Sequence, residues 1–441
     1  MVKGERPDGA VNRGFRMGKL GLSLTGSYLG YQLQNLFLGA EAREEKRRRF
    51  GQKASRRVRE ELESLKGPFM KLGQFLSMQT HALPPEAIDE LANLQRRAPG
   101  MHPTLARAQF KTSYGKYPED VFQEFEEEPF AAASLGQVHR AVTRRGEKVA
   151  VKIQYPAIRT AIENDFKILR SATLPGRITG HTPVGILDEM QRGFLEETDY
   201  IHEGKNIDFF RERLTGFPYL TIPKVYWDLT TDRVLTMSFV EGATVEKFRE
   251  GDPSQEVRDR IGCRLFELYL FQIYHLHALH ADPHPGNYLF RKDGQIGLVD
   301  FGCVKRFSGD VAELNRYVVD HVWLQGKAQM ERMIALIWGP NVPVAKARKM
   351  LEEFEDFADA VFPLPAATQP VVDFGKPTLL NALGRNLRRA VRDKLTNPQF
   401  AFISRAELGL YNLLHQLRAR VNTREVWRRV AGRKGGTAPK T

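Results

Sequence analysis

Apolar residues along the chain follow a helical period over long stretches and a two-residue period only in the middle. From Leu20 to about Leu94 they recur every three or four positions, which predicts helices. Between residues 122 and 240, short runs of alternating apolar and polar positions predict strands. Helical periodicity returns beyond residue 241. This order predicts an α+β fold with a small mixed β-sheet lobe, a larger helical lobe and an N-terminal helical extension.

The pattern and its breakers also predict individual elements and domain bounds. Strands are predicted at Val138–Thr143, Lys148–Gln154, Pro223–Trp227, Val234–Val240 and Ile296–Val299. Helices are predicted at 102–120, 157–171, 187–214 and 255–281 and from residue 310 onward, with a proline-rich loop over 362–377. We assign 1–110 to the helical extension, 111–240 to the small lobe, 241–434 to the helical lobe with its basic C-terminal region, and 435–441 to a flexible tail.

The positive charge is concentrated near the C-terminus. The 441 residues carry 66 Lys and Arg against 53 Asp and Glu, a net charge of +13. Residues 384–441 hold 14 Lys and Arg and 3 Asp and Glu, so this segment alone carries +11. Such a region fits either an anionic surface, such as phospholipid or nucleic acid, or a solvated helix face. No recognisable nucleic-acid-binding motif is present, so nucleic acid is not the expected partner.

Residues 20–40 are a second segment that could meet a membrane. They carry no charge but include several Ser, Thr, Gln and Asn side chains, and the chain lacks the apolar run of a membrane span. A helix lying in the membrane interface and a helix packed on the protein both fit this composition. The two cysteines, Cys263 and Cys303, form no disulfide framework. We therefore expect a cytoplasmic protein, either free or peripheral at the membrane.

Two short segments carry residues suited to phosphoryl transfer. Asp282 and Asn287 lie five positions apart, and Asp300-Phe-Gly302 follows thirteen residues after Asn287, behind an apolar strand. Phosphoryl transfer needs oxygen ligands for a divalent metal and a carboxylate near the attacking oxygen. The spacing matches the D-x-x-x-x-N and D-F-G motifs of kinases. Asp282, Asn287 and Asp300 can therefore supply the oxygen atoms that this chemistry needs.

A cation for the phosphates is predicted upstream, at Lys152. It lies late in the strand Val149-Ala-Val-Lys152, like the lysine of the kinase V-A-I-K motif, and strand alternation turns it away from its apolar neighbours. Where kinases have a glycine-rich loop over the phosphates, this chain has Ala131-Ala-Ala-Ser134. Alanine disfavours positive φ and its Cβ limits close approach, so this loop is expected to grip phosphates differently.

With these motifs the chain resembles the UbiB/AarF-type atypical kinase-like family, which is associated with ubiquinone biosynthesis and includes the mitochondrial coenzyme Q kinases. The resemblance implies a protein-kinase-like two-lobed fold and a helical K-x-G-Q segment over the active site. It also implies binding of ATP or ADP with Mg²⁺, ATPase activity in place of protein phosphorylation, and a role in membrane quinone or lipid metabolism. The matching segments are Lys71-Leu-Gly-Gln74, Ala131–Ser134 with Gln137-Val-His139, Val151–Pro156, Glu197–Glu203 with Asn206, His280–Asn287 and Asp300–Gly302.

The resemblance further implies roles for single residues. Glu203 is implied as the ion-pair partner of Lys152, and Asp282 as the catalytic-loop aspartate that completes this catalytic set. Asn287 and Asp300 are implied as ligands of Mg²⁺ or Mn²⁺. The implied nucleotide-binding residues are Ala131, Ala132, Ala133, Ser134, Val151, Lys152, Met237, Ser238, Val240, Asn287 and Asp300. An occluding or regulatory role over the cleft is implied for Lys71, Gln74, Glu197 and Asp199.

The chain also departs from protein kinases. Nothing after Asp300 spells the A-P-E segment, and the hydrophobic C-terminal helices of some bacterial relatives are absent, so integral membrane anchoring is not expected. We expect an atypical phosphotransferase or ATPase whose partners are quinone-pathway proteins or anionic lipids, with a homodimer compatible with the sequence. The alternative is a nucleotide-binding pseudokinase scaffold that organises partner proteins at a membrane, which the complete catalytic set disfavours.

Overall fold

The structure is a computed structural model, and its described residues fall into two compact units. The first unit runs to Ile201 and includes Tyr226–Thr236, and the second holds His202–Val225 and the chain from Met237 onward. Residues 20–40, Lys71, Gln74 and Ser134, singled out above, lie outside the described residues. The described residues are 101–133, 135–172, 184–282, 284–320, 327–338, 358–363, 371–376, 379 and 398–432.

Helices and strands both occur in each of the two units. The described helices are α1 (Pro103–Tyr114), α2 (Pro118–Val121), α3 (Ile158–Ala172), α4 (Val184–Glu196), α5 (Tyr200–Arg213), α6 (Val245–Glu250), α7 (Gln255–Phe271), α8 (Asp310–Val319), α9 (Lys327–Trp338), α10 (Pro398–Leu417) and α11 (Thr423–Ala431). The described strands are β1 (Glu124–Phe125), β2 (Ala131–Ala133), β3 (Gly136–Val142), β4 (Lys148–Gln154), β5 (Leu220–Thr221), β6 (Val234–Ser238), β7 (Ala278–His280), β8 (Tyr288–Phe290), β9 (Ile296–Leu298), β10 (Val304–Arg306), β11 (Val372–Asp373) and β12 (Arg420–Val421).

A sheet of strand order β1-β3-β4-β6 organises the first unit, and the short strand β2 pairs with β3. Pairing of β3 with β4 is antiparallel, with Val138 opposite Lys152 and Gln137 opposite Ile153. Because side chains alternate along a strand, one face carries Lys152 and the other carries Val151 and Ile153. The alternation of side chains along β4 therefore puts Lys152 on the face opposite the hydrophobic core.

The core of the first unit lies between the sheet and helix α1. Pro103 stands in the first turn of α1, and Gly115 ends the helix in a left-handed conformation with φ of +82°. Aromatic rings of α1 and of the segment before β1 fill the space, with Phe110 and Phe122 centroids 5.9 Å apart. The buried cluster consists of Met101, Ala106, Phe110, Phe122, Ala141, Val149, Val151, Ile153 and Val234.

In the second unit the strands are short and form three small groups. Strand β9 pairs in parallel with β5 and antiparallel with β8, while β7 pairs with β10 and β11 with β12. Helix α7 is the central helix and packs against α10, α11 and β12. Its buried face includes Ile261, Leu265 and Phe266. The last two turns of α7, from Leu265 to Phe271, are buried throughout, whereas its first residues, 255–260, are mostly polar and at least partly exposed.

Helix α7 gives way to a π-helical turn at Gln272–Leu276, which ends at His277 with φ of +46°. The chain continues from this left-handed residue directly into β7, which pairs antiparallel with the later strand β10. Turns of this kind occur often at functional sites. Here the π turn ends the long helix directly before the segment that holds the predicted catalytic aspartate.

The predicted α+β kinase-like fold is confirmed by a solved neighbour described below, while some element predictions were wrong. The helix predicted over 255–281 ends at Phe271, because the π turn and a strand replace its last third. Pro223–Trp227 forms only a single bridge, Val225 with Met237, followed by a 3-10 turn at Trp227–Leu229. The strand predicted at Ile296–Val299 is present as β9, but further strands beyond residue 240 were not predicted, including Val372–Asp373 inside the predicted loop. Such two- and three-residue strands are too short to show periodicity.

Candidate functional site

The segment after β7 brings Asp282 and Asn287 together. The side-chain Nδ2 of Asn287 donates to Oδ2 of Asp282 over 2.8 Å. A 3-10 turn at Pro285–Asn287 makes this possible, and Nδ1 of His284 accepts from the Gly286 N–H at 3.0 Å. A capped turn therefore fixes two side chains that lie five residues apart in sequence.

The Asp300-Phe-Gly302 segment is tied to the same turn. The Val299 N–H donates to the Asn287 carbonyl at 3.1 Å, just before Asp300. One carboxylate oxygen of Asp300 accepts from the Gly302 N–H at 3.0 Å. Asn287 is buried, and both Asp282 and Asp300 are half-buried. The three predicted oxygen-bearing side chains thus belong to two connected segments of the second unit.

His280 links β7 to the Asp300 segment. Its backbone N–H donates to Oε1 of Gln272 at 2.8 Å, and its ring Nε2 is hydrogen-bonded to the Asp300 carbonyl. A carbonyl only accepts, so Nε2 carries the ring proton. The ring also meets Phe301 edge to face, with centroids 5.3 Å apart. Gln272, supplied by the π turn, is a positioning residue that the sequence reasoning missed.

Helix α5 holds the backbone of Phe301 at both polar groups. Oε1 of Glu203 accepts from the Phe301 N–H at 3.4 Å, and Nδ2 of Asn206 donates to the Phe301 carbonyl at 3.1 Å. Both side chains are almost fully buried, and the Phe210 ring packs on Phe301 at 5.3 Å. One contact of Glu203 is therefore with the D-F-G segment itself. The spacing of residues 203, 206 and 210 on one helix face was a signal for this arrangement.

The end of β6 and the segment after it contain the residues expected to line the adenine pocket. Met237 is buried and forms a bridge with Val225. The Ser238 N–H donates to the Lys224 carbonyl at 2.8 Å, and Ser238 Oγ accepts from the Lys224 N–H at 2.9 Å. A Cβ on Gly297 would come within 2.6 Å of a Val240 methyl, so glycine makes room for Val240. This segment is fixed within the second unit.

In the first unit, Lys152 lies on the sheet face opposite the core. Its side chain is 5% exposed, and Nζ lies 5.2 Å from the centroid of the Tyr200 ring. An ammonium over an aromatic face is held by the negative face of the ring. Val151, an implied nucleotide contact, faces the other way into the core. The predicted alternation around Lys152 is what the structure has.

The three alanines form strand β2 and do not form an open loop. They pair with β3 in the register Ala131 to Val138, Ala132 to Gln137 and Ala133 to Gly136. A Cβ on Gly136 would lie 2.3 Å from the Ile153 carbonyl oxygen. One glycine is therefore indispensable for the close approach of β3 to β4, although the alanines replace the others.

A buried glutamine of β4 fixes the turn that carries Glu197 and Asp199. Nε2 of Gln154 donates to the Thr198 carbonyl at 2.8 Å. The side chain of Glu197 is half-buried and that of Asp199 is exposed. Gln154 follows Lys152 on the same face of β4, so the lysine and this turn share one strand. Gln154 belongs to the family segment Val151–Pro156, and its side chain positions this turn.

Burial and charge keep Tyr288, next to Asn287, protonated. Burial raises the pKa of its phenol, and the charge of Asp282 raises this pKa further.

The donor set of Asn287 and Asp300 consists of hard oxygen atoms, which Mg²⁺ and Mn²⁺ prefer. The described residues contain no cluster of three or more His, Cys, Asp and Glu suited to a metal. A magnesium site built from one or two protein ligands and substrate phosphates needs no such cluster, so the residues fit this metal.

The fold and these motifs define the class of the protein as kinase-like. A lysine on a small sheet, a catalytic-loop Asp and Asn, and a D-F-G segment occur in the order found in protein kinases. The chain belongs to the ABC1 atypical kinase-like family, whose domain model matches residues 93–333. The family inferred from the motifs is thereby confirmed.

Curated relatives include proteins named as kinases. The chain is 37% identical over 265 residues to Protein ACTIVITY OF BC1 COMPLEX KINASE 7, chloroplastic, of Arabidopsis thaliana, covering 59% of this chain and 38% of that protein. It is 32% identical over 277 residues to AarF domain-containing protein kinase 1 of Mus musculus, covering 61% and 53% respectively. The match therefore spans only about a third to a half of these relatives.

A solved structure shares the architecture. Rv3197 of Mycobacterium tuberculosis, in complex with erythromycin, has a TM-score of 0.61 and 26% identity to this chain, covering 90% of it and 100% of the solved chain. This similarity supports the α+β kinase-like fold. Among the helices that the structure describes, none combines the length and apolar character needed to span a bilayer.

Proposed function

We propose that the chain binds ATP with Mg²⁺ and catalyses phosphoryl transfer to water or a small molecule. The observation that carries this proposal is the linked pair of segments in the second unit. There, Asn287 donates to Asp282, and the backbone next to Asp300 is bonded to Asn287. Carboxylate and amide oxygens on one connected scaffold support the proposal, because phosphoryl transfer requires a carboxylate near the attacking oxygen and oxygen ligands for a divalent metal.

Each residue then has a distinct role. Asp300 and the amide oxygen of Asn287 would hold the metal, which supplies positive charge to the phosphates when it is bound. Asp282 would accept a hydrogen bond from the attacking hydroxyl or water, and the Asn287 amide would keep the Asp282 carboxylate in place. Lys152 would bind the α- and β-phosphates, with Glu203 as its charge partner. The backbones of Ser238 and Val240 would meet the adenine, and Met237 would line its pocket.

The acceptor is proposed to be a small molecule or water, and the biological role to lie in quinone or membrane-lipid metabolism. The basis is the family resemblance together with the missing A-P-E segment after Asp300. Lys71 and Gln74, with Glu197 and Asp199, are proposed to restrict access of a protein substrate. Lys71→Ala should then raise autophosphorylation without unfolding the protein, and unchanged kinetics would remove Lys71 from this role.

The test is a thermal-shift panel of nucleotides and metals, followed by phosphate release from the purified full chain. Ligands that bind the folded state raise the melting temperature by mass action. We expect MgATP and MgADP to stabilise the protein and phosphate release to require Mg²⁺. Erythromycin belongs in the panel because the solved neighbour was captured with it. Nucleotide stabilisation without any phosphate release or transfer would favour the pseudokinase scaffold, and no stabilisation would contradict nucleotide binding.

Strand β2 gives a finer test of how phosphates are held. Ala133→Gly removes a half-buried methyl group and frees the backbone beside Gly136. We expect a change in the ratio of ADP to ATP affinity and increased autophosphorylation that Lys152→Ala abolishes. Ala132→Gly is the matched control, because its side chain is exposed on the opposite face of the same strand. Equal effects of both variants, or none, would contradict a specific role for Ala133.

Peripheral membrane binding is proposed from the charge distribution. Lys and Arg residues near an anionic bilayer each contribute about 1 kcal/mol, and salt weakens this attraction. We expect the full chain to float with anionic liposomes at low salt more than with neutral ones. Equal flotation with both compositions would remove the electrostatic part of the proposal.

A further inference from the structure

The segment Gln137-Val-His139 on β3 has no part in the proposed chemistry, yet it carries two polar residues in the core. Both side chains are 0% exposed and lie on the core face of the sheet. Ala141, two residues further on, belongs to the same hydrophobic cluster. Buried polar side chains cost free energy unless they are hydrogen-bonded. Their placement therefore depends on the partners they find.

The two side chains form a continuous chain of hydrogen bonds between two backbone groups. The Met101 N–H donates to Oε1 of Gln137 at 2.7 Å, and Nε2 of Gln137 lies 2.9 Å from Nε2 of His139. Nδ1 of His139 lies 2.8 Å from the Glu126 carbonyl. That carbonyl only accepts, so Nδ1 carries the proton and Nε2 accepts from the amide. The direction of every bond is thus fixed, and the imidazole is neutral.

Burial is consistent with this neutral ring. The pKa of His139 is lowered, chiefly because burial disfavours the imidazolium. Its hydrogen bond to the Glu126 backbone and the nearby charges of Glu128 and Glu126 act in the opposite direction, and burial outweighs them. The Phe125 ring stacks on the imidazole with centroids 4.9 Å apart and holds its plane.

The hydrogen-bond chain joins three separate parts of the sequence: the segment before α1, the residue after β1, and strand β3. Met101 precedes helix α1, and Glu126 follows β1 and donates its own N–H to the Arg140 carbonyl at 2.9 Å. Gln137 lies directly opposite Ala132 in the pairing of β2 with β3. Strand β2 has only three alanines and gains little from burial, so its position follows that of β3 and of the connection from Glu126.

We propose that Gln137 and His139 are positioning residues for the β2–β3 hairpin. Their hydrogen bonds hold the hairpin in one alignment against the core, so that strand β2 can receive nucleotide phosphates. The proposal rests on the proposed nucleotide-binding function. A hydrogen-bonded polar pair in an apolar core adds little net stability, whereas it admits only one alignment of the groups it joins. Alignment of β2 is therefore its expected contribution.

The test compares nucleotide affinity of the full chain with its thermal stability. Gln137→Leu and His139→Phe each break the hydrogen-bond chain while keeping bulk in the core, and Val149→Ala is the matched control in the same cluster. Affinity for ADP and for MgATP is measured by calorimetry at least ten degrees below each melting temperature. We expect about a tenfold weaker affinity in the first two variants, which corresponds to about 1.4 kcal/mol of binding free energy, and less than about twofold in Val149→Ala.

Gln137→Glu provides a rescue, because its carboxylate accepts from Met101 and also from a protonated His139. We expect this variant to bind nucleotide like the wild type at pH 6 and to weaken relative to it at pH 8. The charges nearest the ring are Glu126 and Glu128, and they remain the same in both proteins. The rescue also decides the question if Gln137→Leu fails to fold.

The outcomes separate this inference from the proposed function. No nucleotide binding by the wild type would contradict the proposed function itself. Wild-type binding with equal losses of affinity in Val149→Ala, Gln137→Leu and His139→Phe would overturn the inference, because the pair would then be ordinary core. Unchanged affinity in both polar variants, or a Gln137→Glu protein without any pH-dependent difference from the wild type, would overturn it as well.

Discussion

The two units place their reactive groups by different means. In the second unit the reactive side chains form hydrogen bonds themselves: Asn287 donates to Asp282, and Asp300 accepts from Gly302. In the first unit, strand β4 carries Lys152 on the face that meets the Tyr200 ring, and Gln154 on the same face fixes the turn at Thr198. The motifs of the second unit therefore contain both the candidate catalytic residues and the contacts between them. The motif of Lys152 does not include Tyr200 or Thr198, which lie far from it in sequence.

The largest expected effect comes from the reactive carboxylate of the second unit. Asp300→Asn keeps the shape but removes the negative charge that binds the metal, so Mg²⁺-dependent stabilisation by ATP should disappear. Phosphate release should fall at least about 100-fold, the size of effect seen when a key electrostatic contact is lost. Asp252→Asn, the same change at an exposed position of this unit, is the control. Undiminished MgATP stabilisation in Asp300→Asn would contradict the metal assignment.

Next in size is the loss of a supporting group in the same unit. Asn206→Leu leaves the buried Phe301 carbonyl without its donor, which should lower the free energy of unfolding by about 1–3 kcal/mol. Turnover should fall as well, because Phe301 adjoins Asp300. Asn315→Leu removes a different buried bond, with the Tyr274 hydroxyl, and should lower stability without a matching loss of turnover. Equal turnover in the two variants would mean that Asn206 is only structural.

A smaller effect is expected from the corresponding change in the first unit. Gln154→Leu breaks the bond to Thr198 and frees the turn of Glu197 and Asp199, which are proposed to restrict access of a protein substrate, so autophosphorylation should rise by about three- to tenfold. The metal dependence should stay as in the wild type, since the proposed metal ligands Asn287 and Asp300 belong to the second unit. Gln109→Leu, at another buried glutamine of the first unit, is the control for a general loss of stability. An altered metal dependence would contradict the separation of roles between the units.

The smallest effect concerns pH, and the two units should respond in opposite directions. Burial raises the pKa of Glu407, on α10, to about 7, and the hydrogen bond from Tyr269 only partly offsets this. In the unfolded chain this carboxyl ionises at lower pH, so its contribution to stability is present below pH 4.5 and is lost as pH rises to 7. Glu407→Gln should therefore gain about 1 kcal/mol at pH 8 and nothing near pH 4.5.

His139 gives the opposite dependence in the first unit. Its lowered pKa means that the unfolded chain binds a proton more readily, so stability is lost as pH falls below about 6.5. Melting temperatures of the wild type, Glu407→Gln and His139→Phe between pH 5 and 8 measure both effects. Parallel curves for all three proteins would show that neither group titrates differently on folding.

The fold class and the family could be predicted because their signals are spread over many residues. The alternation around Lys152 and the linked spacing of Asp282, Asn287 and Asp300 each require a particular chemistry at a particular place. Strand Lys148–Gln154 was correct to the residue for this reason. Because several motifs far apart in the sequence indicate the same family, an error at one position does not change the assignment.

The supporting contacts could not be predicted because their partners are backbone atoms. Gln272 and Gln154 bond to a backbone N–H and a backbone carbonyl, and any sequence supplies those groups at nearly every position. The end of α7 was missed for a related reason. Nothing in Gln272–Leu276 breaks a helix, and the left-handed residue that ends it is His277 and not glycine.

The path of the chain has a consequence for how the protein is made. The first unit includes Tyr226–Thr236, where the Arg233 carbonyl accepts from the Gln154 N–H and the Thr231 hydroxyl bonds to Ser113. During synthesis these bonds cannot form until Arg233 has left the ribosome, so the 24 residues of His202–Val225, which belong to the other unit, emerge while the first is still incomplete. A fragment meant to fold alone should accordingly extend past Thr236, and one that stops at Ile201 would expose the edge of β4 to pairing with other nascent chains.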